Sequence, residues 1–298
     1  MPKSEILCVG EVLWDSLPAG LFLGGSPFNV ACHLRAAGLP VSMVSRVGSD
    51  QLGDEVIRRA TRYGIGTDLI QVDELLPTGF VRVTVDHSGD STFDILGPAA
   101  WDAIAPDDAL LERATDARAI IYGSLAQRNV VTRRTMEKLW VTDALMVYDV
   151  NLRPPHTDRD IVRRSLERAD VVKVNHHEMI TLGQWFDLPS SGQPAASALA
   201  DKFDCAIVCL TRGRDGAGMW RDGAWTDHPG FEVEVRDTVG AGDAFLAVLL
   251  AGIFAGTESR ALLTNANLIG AFMVTQAGAV PADQLAAEPR VLPAEGRA

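Results

Sequence analysis

Short apolar runs and amphipathic stretches alternate along almost the whole chain. The first run, at 6–10, is apolar and closes on a glycine. Helical spacing then governs 27–37, 52–63 and 130–139, and the run 246–254 is apolar throughout. Gly38 and Gly64 stand just past two of these helices, where the chain wants a left-handed residue. Core strands are predicted at 119–122, 145–149, 171–174 and 206–211. Each delivers a polar residue at or just beyond its C-terminal end. The alternation predicts an α/β fold with a largely parallel sheet, whose ligands gather at that edge.

One region breaks the alternation. Residues 80–85 and 92–96 read as strands joined by His87-Ser-Gly-Asp90, with no helix signalled between them. Two placements fit this pattern: a small lid projecting from the sheet, or an antiparallel edge of the main sheet. As a lid, with 12–23, it would be mobile. Its apolar residues Phe80, Val83 and Phe93 would need cover from substrate or from a second copy of the chain. A second hairpin is predicted at 218–226 around Asp222-Gly223. The tail from Ala286 is rich in Pro, Ala and Glu and is expected to be loosely held.

Composition narrows the classes. The chain has 298 residues, 47% of them hydrophobic, and a net charge of −12. That suits one large domain with a small appendage and argues against a nucleic-acid partner, whose phosphates need clustered cations. Residues 244–256 are too few to cross a bilayer, and Glu5 and Glu11 interrupt the stretch where a signal peptide needs an apolar core. No membrane association and a cytoplasmic location are expected. Cys8, Cys32, Cys205 and Cys209 read as buried free thiols, since no CxxC or nearby ligand-spaced histidine accompanies them.

The chemistry concentrates in Asp237-Thr-Val-Gly-Ala-Gly-Asp243. Small residues before a helix admit a ligand to the first helical N–H groups, here those around Ala241, Gly242 and Asp243, and so form an anion site. Asp243 inside such a site repels phosphate. It makes sense as the proton acceptor for an attacking hydroxyl, or else as a helix cap. A P-loop is absent, and Phe245 stands where a dinucleotide fingerprint needs its third glycine. Near the N-terminus, Asp15 beyond the first strand and Gly24-Gly-Ser-Pro-Phe-Asn29 before the first helix suit a ligand with adjacent hydroxyls. His176-His177 reads as solvated, His33 and Cys32 as packing residues, and Trp101 as core.

These two segments resemble the paired signatures of the PfkB (ribokinase-like) carbohydrate kinases, and within that family the fructokinases. Asp149-Val-Asn-Leu-Arg153, Asn175-His-His-Glu178 and Thr211-Arg-Gly-Arg-Asp-Gly216 follow in the family's order, so the likeness runs from about residue 6 to 283. It implies a single domain over 1–298: a three-layer α/β/α sandwich with a small β-sheet lid formed from about 12–23 and 78–98. It implies ATP-dependent phosphorylation of a sugar primary hydroxyl, with fructose first. The alternatives are a family member acting on adenosine, ribose or 2-keto-3-deoxygluconate, and a non-catalytic sugar- or nucleotide-binding regulator.

The implied roles follow residue by residue. Asp243 is the base, and the Gly240, Ala241 and Gly242 backbone forms the anion hole. Asp15, Gly25, Asn29 and Arg153 hold the sugar, although Arg153 also suits a surface ion pair. Asn175, Glu178, Thr211, Gly213, Gly242 and Asn267 line the nucleotide. Glu178 places magnesium through water. Asp237 is the side-chain ligand for an optional potassium ion, with Val239 and the 273–278 backbone. Ala282, where some members carry a serine, weighs against that ion. A homodimer through the lid is the implied assembly.

Overall fold

A computed structural model describes residues 5–17, 20–85, 91–276 and 278–280, with side chains except at 83–85 and 91–93. The turn at 87–90, Ala282, the tail from 286 and the side chains of Val83 and Phe93 lie outside the described residues.

In chain order the elements begin with β1 (Ile6–Val9), β2 (Leu13–Leu17), β3 (Gly20–Gly24), α1 (Ser26–Ala36), β4 (Val41–Gly48), α2 (Gln51–Arg62) and β5 (Ile70–Asp73). Next come β6 (Gly79–Val85), β7 (Ser91–Ile95), α3 (Asp108–Asp116), β8 (Ala119–Gly123), α4 (Val130–Leu139) and β9 (Leu145–Asp149). Then follow α5 (Arg159–Leu166), β10 (Val171–Asn175), α6 (His176–Phe186), α7 (Gly192–Phe203) and β11 (Ile207–Thr211). The described chain closes with β12 (Ala217–Arg221), β13 (Ala224–His228), α8 (Ala241–Phe254) and α9 (Ser259–Val274).

Nine strands form one sheet in the order β13-β12-β11-β10-β9-β8-β1-β4-β5. It is parallel from β11 to β5, and β12 and β13 extend it antiparallel. Two cores sandwich it because alternate strand residues face opposite sides. Ile6, Cys8, Val147, Val171 and Cys209 pack with α1, α2, α8 and α9. Leu7, Val9, Tyr148, Val172 and Leu210 pack with α3 to α7. The three-layer α/β expectation holds. Trp101 is fully buried in the second core, and the four cysteines are buried and unpaired.

The irregular region resolves in favour of a separate unit. β3, β2, β6 and β7 make a four-stranded sheet of their own, with β2 and β6 parallel and the other pairs antiparallel. The edge-of-main-sheet alternative is therefore wrong. Register gives the reason: β6 is paired on both sides, by β2 and β7, so nothing of it is left for the large sheet.

The helix after the glycine motif also needs correction. It starts at Ala241, five residues before the apolar run from Leu246 that the sequence marks. Gly240 caps it at φ 77°, and a Cβ there would lie 2.5 Å from the Cα of Ala279, so only glycine fits the start.

Candidate active site

Parity carries the polar residues to one place. Asp149, Lys173 and Thr211 occupy the same alternate positions as Val147, Val171 and Cys209, so they face α8 at the C-terminal edge of the sheet. Lys173 Nζ donates to both Asp149 oxygens at 2.9 Å, and the pair is almost fully buried. A Cβ on Gly242 would lie 3.3 Å from that ammonium, so Lys173 sits directly beneath the start of α8. Burial pulls the Lys173 ammonium down, but Asp149, Glu178 and Asp243 more than reverse this and hold its pKa above the ordinary value.

Asp243 does not cap its own helix. Its Oδ1 accepts from the Ser26 hydroxyl and its Oδ2 from Asn29 Nδ2, both at 2.8 Å. The carboxylate is thus turned across to the first turn of α1, and Gly240 holds the cap position instead. Burial, joined by the like charge of Asp149, raises its pKa; Lys173, Asn29 and Ser26 oppose the rise. A carboxylate so placed beside free helical N–H groups can accept a proton next to an anion.

The remaining sugar-side residues surround this point. Gly25, at φ 109°, lets the chain turn into α1 with a Cβ's worth of space only 2.4 Å from the Glu11 carbonyl oxygen. Asn29 uses its amide on Asp243, which leaves its buried Oδ1 without a partner. Asp15 projects from β2 with its pKa pushed up to about 6 by burial, partly offset by Arg153. Arg153 is exposed, donates only to its neighbour's carbonyl (Leu152 O, 3.2 Å), and forms no ion pair with any described residue.

The nucleotide-side residues are tied to the frame. Asn175 and Glu178 form a reciprocal capping box at the start of α6: Asn175 Oδ1 accepts from Glu178 N, and Glu178 Oε2 from Asn175 N. Glu178 Oε1 accepts from Leu152 N, so both carboxylate oxygens already hold a backbone donor. Thr211 ends β11 and Gly213 follows it at φ 59°. Asn267 is buried on α9 and donates back to Leu263 O within the helix. Asp237 clips two segments, accepting from Val239 N and Gly278 N. His176 and His177 are exposed, and no described group of three or more His, Cys, Asp or Glu could hold a metal on its own.

Three participants escape sequence reasoning: Glu11, Lys173 and Ser26. Lys173 had a signal, a cation at an odd position of the apolar run Val171-Val-Lys-Val. Asp149 was visible only as a motif member.

The arrangement matches known proteins over nearly its whole extent. Residues 19–285 match the pfkB family carbohydrate kinase model. Fructokinase-2 of Zea mays is 27% identical over 307 aligned residues, covering 93% of this chain and 90% of that one. A sugar kinase of Pyrococcus horikoshii, solved with ATP, is 26% identical with a TM-score of 0.79, covering 92% and 94% of the two chains. A fructokinase of Xylella fastidiosa, solved with bound ATP, is 25% identical with a TM-score of 0.78 over 93% and 94%. The glycine-capped start of α8, the carboxylate beside it and these matches agree: the chain belongs to the pfkB family of carbohydrate kinases and is a sugar kinase.

Proposed function

We propose that the protein transfers the γ-phosphoryl group of ATP to the primary hydroxyl of fructose. The observation that carries this reading is the carboxylate of Asp243, held by Ser26 and Asn29 at the start of α8. Asp243 takes the hydroxyl proton as that oxygen attacks phosphorus. The N–H groups of Gly242 and Asp243, with Lys173 beneath them, face the phosphoryl oxygens, while that of Ala241 donates to Thr238 O. Asp15, Gly25 and the unpartnered Asn29 Oδ1 take sugar hydroxyls. Thr211, Gly213, Asn175 and Asn267 line the nucleotide.

Magnesium bound to the phosphates would supply charge neutralisation. Glu178, whose two oxygens each hold a backbone donor, would hold this ion through water. The Asp237 carboxylate accepts from Val239 N and Gly278 N, which ties together the two segments that would surround an optional potassium ion. The small sheet closes over the sugar and keeps water from the phosphoryl group. Leu21 and Phe22, exposed on β3, are the residues a second copy would cover in a dimer through this sheet.

One observation favours a second sugar. Arg153, a guanidinium that forms no ion pair with any described residue, also suits an acid sugar such as 2-keto-3-deoxygluconate. ADP release measured across fructose, tagatose, ribose, adenosine and 2-keto-3-deoxygluconate tests both. Fructose is expected to give the highest kcat/KM. A preference for adenosine, or turnover with none of the five, would contradict the proposal.

A further inference from the structure

Arg128 has no part in the reaction as described, yet all five of its N–H donors are spent in one place. It ends the short 3-10 turn Leu125–Arg128 after β8, and its side chain is 11% exposed. Its Nε and Nη2 grip the two oxygens of buried Asp102 at 2.7 and 2.8 Å. Nη2 also donates to Leu96 O at 3.1 Å, and Nη1 reaches Ile95 O at 3.4 Å and His156 Nε2 at 3.2 Å. The guanidinium carbon lies over the Trp101 ring, 4.1 Å from its centre.

These partners belong to three segments. Ile95 and Leu96 are where the chain leaves the small sheet: Ile95 pairs with Val81, and Leu96 N still donates to Phe80 O. Gly97 follows so closely that a Cβ there would lie 2.9 Å from Arg128 Nη2. Trp101 belongs to the second core, and Asp102 also accepts from Ala99 N. His156 closes the turn that bears Arg153, its N–H donating to Arg153 O at 2.8 Å. An arginine can only donate, so His156 accepts through Nε2 and carries its proton on Nδ1.

We propose that Arg128 is a positioning residue for sugar phosphorylation: it pins the exit of the small sheet at 95–96 to the core and, through His156, holds the Arg153 turn in register with that exit. This rests on the reading that the small sheet closes over a sugar held in part by Arg153. A closing sheet pivots where its chain enters and leaves, so a fixed exit sets where the closed sheet comes to rest.

The test compares Arg128→Lys, His156→Leu and His156→Gln with wild type. The readouts are steady-state kinetics with fructose and ATP, the ratio of ADP released to fructose phosphate formed, and hydrogen exchange in β2 and β6 with and without fructose. Lysine keeps a charge for Asp102 but loses the five-donor fork. Arg128→Lys should therefore lower kcat/KM for fructose by about 10- to 100-fold, leave KM for ATP close to wild type, and raise the ADP ratio as water enters a poorly closed site. His156→Leu leaves the Arg128–Asp102 pair in place and should show the same pattern more weakly. His156→Gln, whose amide oxygen can accept the same N–H, should restore wild-type behaviour. If Arg128→Lys does not fold, the two His156 variants decide the matter. Lost stability in Arg128→Lys with fructose kinetics and the ADP ratio unchanged would overturn the inference. Equal losses for both substrates, or a His156→Leu identical to wild type, would do the same. If fructose neither slows exchange in wild-type β2 and β6 nor is phosphorylated, the parent reading fails and takes this inference with it. If wild type closes and turns over while the variants match it, only the role of Arg128 fails.

Discussion

The two sides of the site differ in how far the protein satisfies its own polar groups. On the nucleotide side Lys173 is paired with Asp149, Glu178 holds two backbone donors, Asn267 bonds its own helix and Asp237 clips its loop. On the sugar side Glu11 and Asn29 each bury an oxygen without a partner, and Arg153 forms no ion pair with any described residue. Buried polar atoms are ordinarily bonded, so the first group reads as a finished frame and the second as a surface completed by a hydroxyl-rich ligand. The difference separates what holds the fold from what recognises the sugar.

The largest expected effect comes from breaking the frame. Lys173→Met leaves Asp149 buried and unpaired, which should lower stability by about 3–5 kcal/mol. Chemical denaturation would measure this, and adding Asp149→Asn should recover most of the loss. Equal losses in the single and double variants would show that the pair acts through packing instead of charge.

On the other side Asp15→Ala should raise KM for the sugar by an amount worth about 1.5–3 kcal/mol, with the ATP constant almost unmoved. The pH dependence follows from its raised pKa. Asp15 takes up a proton as pH falls through about 6 and loses an acceptor, so sugar KM should rise below that pH in wild type and stay flat in the variant. Equal losses for both substrates would place Asp15 in the frame.

The smallest effect is dynamic. Backbone hydrogen exchange in β2 and β6 should slow modestly when sugar is added, while β11 stays protected throughout. A small sheet as protected as β11 without ligand would mean that it is part of the rigid body and not a lid.

The frame was the more legible side in sequence. Apolar runs ending in a polar residue marked β8 to β11, because burial on both faces leaves few sequence choices there. The placement of the hairpin did not follow from its pattern, since 80–85 would alternate in the same way in either sheet. The glycine motif pointed to Asp243 but could not separate a base from a cap. That choice depends on Ser26 and Asn29, more than two hundred residues away in sequence. Lys173 was readable as an anomaly in a strand, but its function needed the parity of β9 and β10 together. Glu11 was hidden, because a glutamate beside a strand end usually faces water.

The central claim is that Asp243 is the proton acceptor of a sugar kinase, and Asp243→Asn tests it most directly. The substitution keeps size and hydrogen-bonding reach but removes the base. ADP release with saturating fructose and ATP should fall by about 10²–10⁴-fold, while nucleotide affinity by calorimetry stays close to wild type. Turnover near the wild-type rate, with binding intact, would contradict the account.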